Sequence, residues 1–311
     1  MMIKIDLITG FLGSGKTTFI KKYAKYLLDK GNRIGILEND FGAVNIDRML
    51  LQELQSEQCD IETVAGACDR DCHKRRFKTK LIAMGMLGYD RVIIEPSGIF
   101  DIDEFFDSLH EEPLDRWYET GNVIAIVDAQ LDEHLSDSSE YLLASQTANA
   151  GAVVLSRVQY ASDEERSAVI AHLNRSLQTF GCQRIIDSDI VSKNWENFDE
   201  SDYEKLLSCG CRKESFVKRF SDDNGYQSLY VMHCQITPDR LCEKAKQLLD
   251  SKEHGNIFRV KGFVLDGGKW FEINAAHKSI DIHPIPNGQE IIIVIGEHLN
   301  QEKISAVFEK S

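Results

Sequence analysis

Short runs of apolar and β-branched residues recur through the first half of the chain and predict buried strands. They cover residues 3–9, 33–37, 91–95, 123–127 and 152–155. The intervals between them are long enough for crossover helices, and residues 18–28 carry apolar side chains at helical spacing. Strands that alternate with helices in this way predict an α/β fold, doubly wound around a mainly parallel sheet.

The second half of the chain has a different character. Residues 188–227 are acidic and irregular in pattern, which predicts a domain junction. The chain is then divided into a larger domain at 1–190, an irregular linker at 191–226 and a smaller domain at 227–311. The smaller domain is predicted to be α+β, with strands near 228–236, 258–265, 270–274 and 290–295 and helices beginning at Pro238 and near residue 301.

The step from the first strand to the first helix carries a phosphate-binding motif. Residues 10–18 match G-x-x-x-x-G-K-[ST], in which backbone N–H groups and a helix N-terminus surround phosphate oxygens. The motif predicts a nucleoside triphosphate site. Lys16 is expected at the β- and γ-phosphates, and the Thr17 hydroxyl is expected on Mg²⁺. The predicted nucleotide-binding residues of this loop are Gly10, Gly13, Ser14, Gly15, Lys16, Thr17 and Thr18.

A second signal follows the predicted strand at 91–95. Glu95 ends that strand and Gly98 lies three residues beyond it. A carboxylate at this place acts on Mg²⁺, its waters or the attacking water, and a glycine can hold its N–H against the terminal phosphate. We expect Lys16, Thr17 and Glu95 to be catalytic and Gly98 to bind nucleotide. The competing interpretation is that Glu95 only caps a helix.

Composition narrows the choice of partners. The 311 residues include 36 basic and 50 acidic ones, a formal charge of −14, which argues against nucleic acid and anionic membrane surfaces as partners. No apolar run approaches the roughly 20 residues that cross a bilayer, and no signal-peptide pattern precedes the first strand. A cytoplasmic location is expected. In a reducing compartment the eight cysteines are expected to be metal ligands or buried apolar residues.

With these motifs the chain resembles the CobW-type P-loop GTPases, metallochaperone-like relatives of the urease and hydrogenase maturation GTPases. The resemblance covers nearly the whole chain. It rests on the phosphate loop, on residues 38–47, which are similar to the family's E-N-E-F-G segment, and on residues 95–98 and 127–129. In the second domain, residues 259–263 look like the family's R-x-K-G-[FI] strand.

The resemblance implies a P-loop NTPase fold, a CobW C-terminal-like second domain and hydrolysis of GTP with Mg²⁺. It also implies that Glu38 begins a mobile segment between the nucleotide and a metal site. Asp40 or Asp47 would then touch Mg²⁺ or its waters. Without the family, these two carboxylates would be interpreted as an ordinary solvated loop.

The cysteines depart from the family pattern. The family has C-x-C-C, whereas here Cys68 and Cys72 are separated by three residues. Two thiolates at this spacing can face one metal from a turn, and His73 or the upstream Cys59 would add ligands for a tetrahedral Zn²⁺ site. The aspartates between the cysteines would instead favour harder divalent ions. The alternative is that Cys68 and Cys72 are small buried groups near a helix start.

The remaining cysteines are weaker candidates. Cys209 and Cys211 form a pair of soft ligands, but two thiols rarely complete a metal site. Cys182, Cys234 and Cys242 lie in mainly apolar surroundings and are expected in the core.

The base-recognition motif also departs from the family. GTPases of this kind carry N-K-x-D, whose aspartate accepts two hydrogen bonds from guanine, and here residues 156–159 read Ser-Arg-Val-Gln. Arg157 can lay its planar guanidinium on a purine ring. Gln159 presents one carbonyl and one NH₂ group, so it cannot accept two donors as a carboxylate does. We therefore expect relaxed purine specificity or a preference for ATP.

These expectations combine into a slow GTP or ATP hydrolase that acts as a metal-linked switch. It would insert Zn²⁺, another transition metal or a metal cofactor into a client metalloprotein or cofactor-dependent enzyme, and a nucleotide-dependent dimer would suit such a switch. One alternative is a P-loop kinase for a small acceptor. The other is an adaptor that holds nucleotide and metal without hydrolysis.

Overall fold

A computed structural model describes residues 2–11, 13–39, 51–64, 70–96, 102–212, 214, 226–232, 234–277, 279–285 and 288–309. The chain divides into two compact units, Met1–Phe220 and Ser221–Ser311. Each unit is built on its own β-sheet. Within the described ranges, no helix is both long enough and apolar enough to cross a membrane.

The first unit contains a parallel sheet of seven strands, which confirms the predicted doubly wound α/β class. The strand order is β3-β2-β4-β1-β5-β6-β7. Because β1 is central, with the later strands placed on both sides of it, its carboxyl end is a topological switch point at which ligands bind. The strands are β1 Ile3–Gly10, β2 Ile34–Asn39, β3 Cys59–Val64, β4 Arg91–Pro96, β5 Tyr118–Asp128, β6 Ala152–Ser156 and β7 Ile190–Val191.

Helices cover both faces of this sheet. Phe19 and Tyr23 of the first helix belong to one apolar cluster, and Phe77 and Leu81 of the second helix belong to another. Strand residues therefore alternate between the two faces, as the pleat requires. The helices are α1 Lys16–Asp29, α2 Arg70–Gly85, α3 Ile102–Leu109, α4 Asp137–Ala148, α5 Asp163–Thr179 and α6 Glu200–Leu207.

The predicted irregular linker is wrong in its first part, since α6 lies within it. Leu206 of α6 is fully buried and packs with Val191 in the cluster on the α1 face. Asp199 accepts a hydrogen bond from the backbone N–H of Asp202, and Asp202 accepts one from that of Asp199. The acidic stretch that suggested a junction is thus the capping box of a helix.

A buried polar network fastens β1, β4, β5 and α1 together. The fully buried carboxylate of Asp6 accepts hydrogen bonds from Arg91 Nη1 at 2.6 and 2.7 Å, from Tyr23 Oη at 2.9 Å and from the backbone N–H of Asn122 at 2.8 Å. Burial, followed by the charge of Asp6, raises the pKa of Tyr23 well above its ordinary value. The network holds a charged pair in the interior by satisfying it with several donors.

The second unit is an antiparallel sheet with helices, in agreement with the predicted α+β class. A Cβ atom at Gly262 would lie 2.3 Å from Leu241 Cδ2, so this glycine lets the first helix of the unit pack closely on the sheet. The sheet order is β11-β10-β9-β12-β8. Its elements are β8 Tyr226–Met232, α7 Pro238–Asp250, β9 Asn256–Asp266, β10 Lys269–Ala276, β11 Ser279–Ile285, β12 Ile291–Glu297 and α8 Gln301–Glu309.

Candidate nucleotide and metal site

The phosphate loop is built from glycines in conformations that other residues rarely adopt. Gly10, Gly13 and Gly15 have φ angles of 144°, 79° and 97°. A Cβ atom at Gly10 would lie 2.2 Å from the carbonyl oxygen of Ile126, so β5 allows only glycine there. The loop ends at Gly15, the N-cap of α1, so the positive end of the helix dipole lies at the loop.

Polar groups of the loop are arranged for an anion. Lys16 is only 8% exposed, and its Nζ donates to the carbonyl oxygens of Gly10 at 3.0 Å and Phe11 at 3.4 Å. The Ser14 hydroxyl is buried and has no hydrogen-bond partner in the described part of the chain. A phosphate in the loop would supply the acceptor that this hydroxyl lacks.

Thr17 and Glu95 meet beside the loop. The Thr17 hydroxyl donates a hydrogen bond of 2.8 Å to Glu95 Oε1, and Glu95 is 7% exposed. A hydroxyl and a carboxylate at this distance form an oxygen pair of the kind that Mg²⁺ binds. The residues therefore fit the predicted Mg²⁺ site. Asp40, Asp47 and Gly98, the other residues predicted for the nucleotide and Mg²⁺, lie outside the described residues.

Glu38, which the family resemblance gives only as the start of a segment, lies next to Glu95 in the sheet. In the parallel register it pairs with Glu95 on β4 and with Thr63 on β3. Aligned residues on neighbouring strands point to the same face, here the α1 face on which Ile36 and Ile93 lie. Glu38 is 2% exposed, so two buried carboxylates stand side by side at the carboxyl edge. Only the strand register reveals this pair.

Arg157 connects the base-recognition segment to the phosphate loop. Its backbone is left-handed, with φ 54° and ψ 25°, directly after β6. One terminal nitrogen pairs with Asp128 at the end of β5, and the other donates to the carbonyl oxygen of Gly13 at 3.1 Å. Gln159, two residues further, is exposed. The guanidinium therefore holds the loop and the end of β5 together.

Trp195 is a residue that the sequence analysis missed. It follows β7 by four residues, and its indole N–H donates to the carbonyl oxygen of Leu155 at 3.0 Å. Its ring meets Phe19 edge to face, with centroids 5.4 Å apart. A Cβ atom at Gly15 would lie 3.3 Å from Trp195 Cη2, so the indole lies against the phosphate loop. The sequence signal that could have indicated this contact is a single tryptophan within a polar stretch.

The predicted metal ligands are placed unequally. Cys72 is half-buried on α2, whereas Cys68 and the side chain of His73 lie outside the described part of the chain. Cys59, the possible additional ligand, is buried in the cluster on the α1 face, whereas Phe77 and Leu81 of α2 pack on the opposite face. Within the described ranges, no group of three or more His, Cys, Asp or Glu side chains is arranged to hold a metal.

The surroundings of Cys209 and Cys211 favour a structural role for this pair over metal binding. Burial raises the pKa of the Cys209 thiol to about 12, which disfavours the thiolate that metals bind. The neighbouring N–H of Gly210 donates to Asn122 Oδ1 at 2.9 Å, and Cys211 forms an isolated antiparallel β-bridge with Ala150. These contacts attach the segment around Gly210 to the parallel sheet of the first unit.

A parallel sheet with a phosphate loop at its switch point defines a P-loop nucleotide-binding protein. The chain belongs to the CobW/HypB/UreG family, because the model of that family's nucleotide-binding domain matches residues 4–181. The C-terminal domain of the cobalamin synthesis protein CobW matches residues 233–311. Both matches agree with the family resemblance of the sequence.

Similar curated proteins include two zinc chaperones from Escherichia coli K12. YjiA is 30% identical over 177 residues, which cover 53% of this chain and 52% of YjiA, and YeiR is 28% identical over 168 residues, which cover 54% and 50%. The chain thus spans about half the length of these relatives. The crystal structure of Zn(II)-bound YjiA GTPase covers 100% of this chain and 99% of that one, with 18% identity and a TM-score of 0.40.

Proposed function

We propose that this protein hydrolyses a nucleoside triphosphate, GTP or ATP, as a switch that controls the delivery of a transition metal, with Zn²⁺ as the first candidate. The observation that carries the proposal is the Thr17–Glu95 contact beside the phosphate loop. This contact supports a single site formed by the phosphate loop and a buried carboxylate. The names of the two curated relatives, both zinc chaperones, support Zn²⁺ as the cargo.

Each residue of the site has a distinct part in this proposal. Lys16 would neutralise the charge that develops on the β- and γ-phosphate oxygens. Thr17 and Glu95 would hold Mg²⁺, which when bound neutralises the same phosphates and fixes their geometry. Glu95 would also orient the attacking water, either directly or through a second water. The segments that contain Asp40, Asp47 and Gly98 are proposed to respond to the terminal phosphate.

The transported metal is a substrate in this scheme, and we propose that its ligands lie at the carboxyl edge of the sheet. β3, β2 and β4 are neighbours, and all three end at the carboxyl edge where Glu38 and Glu95 lie. The chain that leaves β3 leads to Cys68, Cys72 and His73, the proposed cargo ligands. Nucleotide and cargo would therefore act on adjacent loops of one edge. A client metalloprotein would receive the metal, and a nucleotide-dependent dimer is part of the same proposal.

The decisive experiment replaces Lys16 by Ala in the full chain. Triphosphate binding, measured by calorimetry, should weaken at least about 100-fold, because an ammonium against two phosphates is lost. Lys21→Ala is the matched control, since Lys21 is an exposed lysine on the same helix, paired with Glu53 at 2.9 Å. Wild-type turnover in Lys16→Ala would refute the assigned site. Stoichiometric binding without turnover in the wild type would favour the adaptor over the hydrolase.

A further inference from the structure

The orientation of a nucleotide in this site follows from the strand order. Thr17 and Glu95, the residues proposed to hold Mg²⁺ and through it the terminal phosphates, lie on the β4 side of the loop. The nucleoside must then extend to the opposite side of β1, toward β5, β6 and β7. Arg157 follows β6 and Trp195 follows β7, so these two planar side chains lie where the base would arrive.

Both side chains contact the loop itself. Arg157 Nη2 donates to the carbonyl oxygen of Gly13, and the Trp195 ring lies against Gly15. Phe19 and the carbonyl of Leu155 hold the indole in place, while Asp128 holds the guanidinium. These contacts fix the positions of both side chains beside the phosphate loop.

The polar edges of the pair already have partners within the protein. The indole has a single N–H group, which donates to Leu155, and each terminal nitrogen of Arg157 has a protein acceptor. Both side chains also offer a ligand a flat surface. Stacking on such a surface is tolerant of base identity, because every base has a π-face.

We infer that Arg157 and Trp195 bind the purine ring by its faces, and that this chain accepts guanine and adenine nucleotides with similar affinity. The inference rests on the proposed function and names the base specificity of that site. The carboxylate that would accept two hydrogen bonds from guanine is replaced by Gln159, which is exposed. Guanine therefore loses the contact that would set it apart from adenine.

The test is calorimetric binding of three probes to the full chain with Mg²⁺. Non-hydrolysable analogues of GTP and ATP are compared with tripolyphosphate, which carries the phosphates without a nucleoside. The two analogues should bind within about 10-fold of each other, both more tightly than tripolyphosphate. Trp195→Ala should weaken both analogues about 10-fold through lost stacking and leave tripolyphosphate binding unchanged. Trp270→Ala, in the second unit, is the matched tryptophan control.

Fluorescence gives a readout that keeps Trp195 in place. Replacing Trp117 and Trp270 by Phe leaves Trp195 as the sole tryptophan, since the chain has three. Its emission should change when either nucleotide analogue is added and stay constant with tripolyphosphate. The result would hold even if Trp195→Ala failed to fold.

Two results would overturn the inference while leaving the proposed function intact. One is a guanine preference above about 100-fold, equivalent to about 2.7 kcal/mol. The other is an equal loss of tripolyphosphate and nucleotide binding in Trp195→Ala, which would make the indole a support for the loop alone. If wild-type protein bound none of the three probes, the proposed function would fail and the inference with it.

Discussion

Thr17 and Glu95 are 78 residues apart in the sequence, yet the Thr17 hydroxyl donates a 2.8 Å hydrogen bond to the Glu95 carboxylate. The bond joins the first turn of α1 to the end of β4. Both side chains present oxygen atoms, the ligands that Mg²⁺ prefers, beside a loop that precedes a helix N-terminus. We expect this pair to distinguish a hydrolytic site from a passive phosphate-binding loop.

Replacing Glu95 by Gln tests this distinction. The amide keeps the shape of the side chain but removes the negative charge, so the rate of triphosphate hydrolysis should fall about 100-fold or more. Binding of a non-hydrolysable analogue should change less than about 10-fold, because Lys16 and the loop remain. Glu119→Gln, an exposed position on β5, is the control and should keep wild-type turnover. Full activity in Glu95→Gln would leave the carboxylate with a capping role only.

Features of the candidate site that are formed by residues adjacent in the sequence could be predicted from the sequence. The phosphate loop and the strand that ends at Glu95 are local patterns, and both were predicted. The pairing of Glu38 with Glu95 and the position of Trp195 were not predicted, because they depend on strand register and on packing between distant segments. The burial of Cys59 on the α1 face could not be predicted either, since the sheet sets the face on which a strand residue lies.

Secondary structure shows the same division between local and long-range information. β3 was missed because its polar and apolar residues alternate, unlike the continuous apolar runs of the central strands. The acidic start of α6 was interpreted as a junction, although the spacing of Asp199 and Asp202 fits a capping box. A capping box is a local sequence pattern, so the start of α6 is predictable from the sequence alone.

The Asp6 network predicts a large effect on stability. Asp6→Ala leaves Arg91, whose side chain is only 12% exposed, without its carboxylate, and should lower the free energy of unfolding of the first unit by about 3–5 kcal/mol. Urea unfolding would measure the change. Glu53→Ala removes an ion pair with Lys21 in which both partners are exposed, and should leave the free energy of unfolding nearly unchanged. Similar values for the two variants would contradict the network's role.

The burial of Cys59 and Cys209 should be measurable as low reactivity of their thiols. Burial raises the pKa of both Cys59 and Cys209 to about 12, so in the folded state the reactive thiolate forms only as pH rises toward that value. Alkylation by iodoacetamide, followed by mass spectrometry, should be very slow at these two sites near neutral pH. The rate should increase with pH above about 9, and in urea it should approach that of an ordinary thiol. Rapid modification of folded protein at neutral pH would refute the assignment.

The final prediction concerns coupling between nucleotide and cargo. Glu38 lies beside Glu95 near the end of β2, so we expect a change at the terminal phosphate to be transmitted to the chain that follows β2 and β3. We expect the Zn²⁺ affinity to differ at least about 5-fold between the diphosphate and triphosphate-analogue states. Because coupling is reciprocal, Zn²⁺ should change nucleotide affinity by the same factor. Calorimetric titrations in both orders would measure the two quantities.

Two variants separate cargo binding from coupling. Cys72→Ser should weaken Zn²⁺ binding, whereas Cys242→Ser, a half-buried cysteine of the second unit, should not. Glu38→Gln should reduce the dependence of Zn²⁺ affinity on nucleotide while the phosphate loop still binds triphosphate, since Lys16 and Thr17 are unchanged. Equal Zn²⁺ affinity in the apo, diphosphate and triphosphate-analogue states of the wild type would exclude a coupled switch. Nucleotide hydrolysis would then serve a step other than metal release.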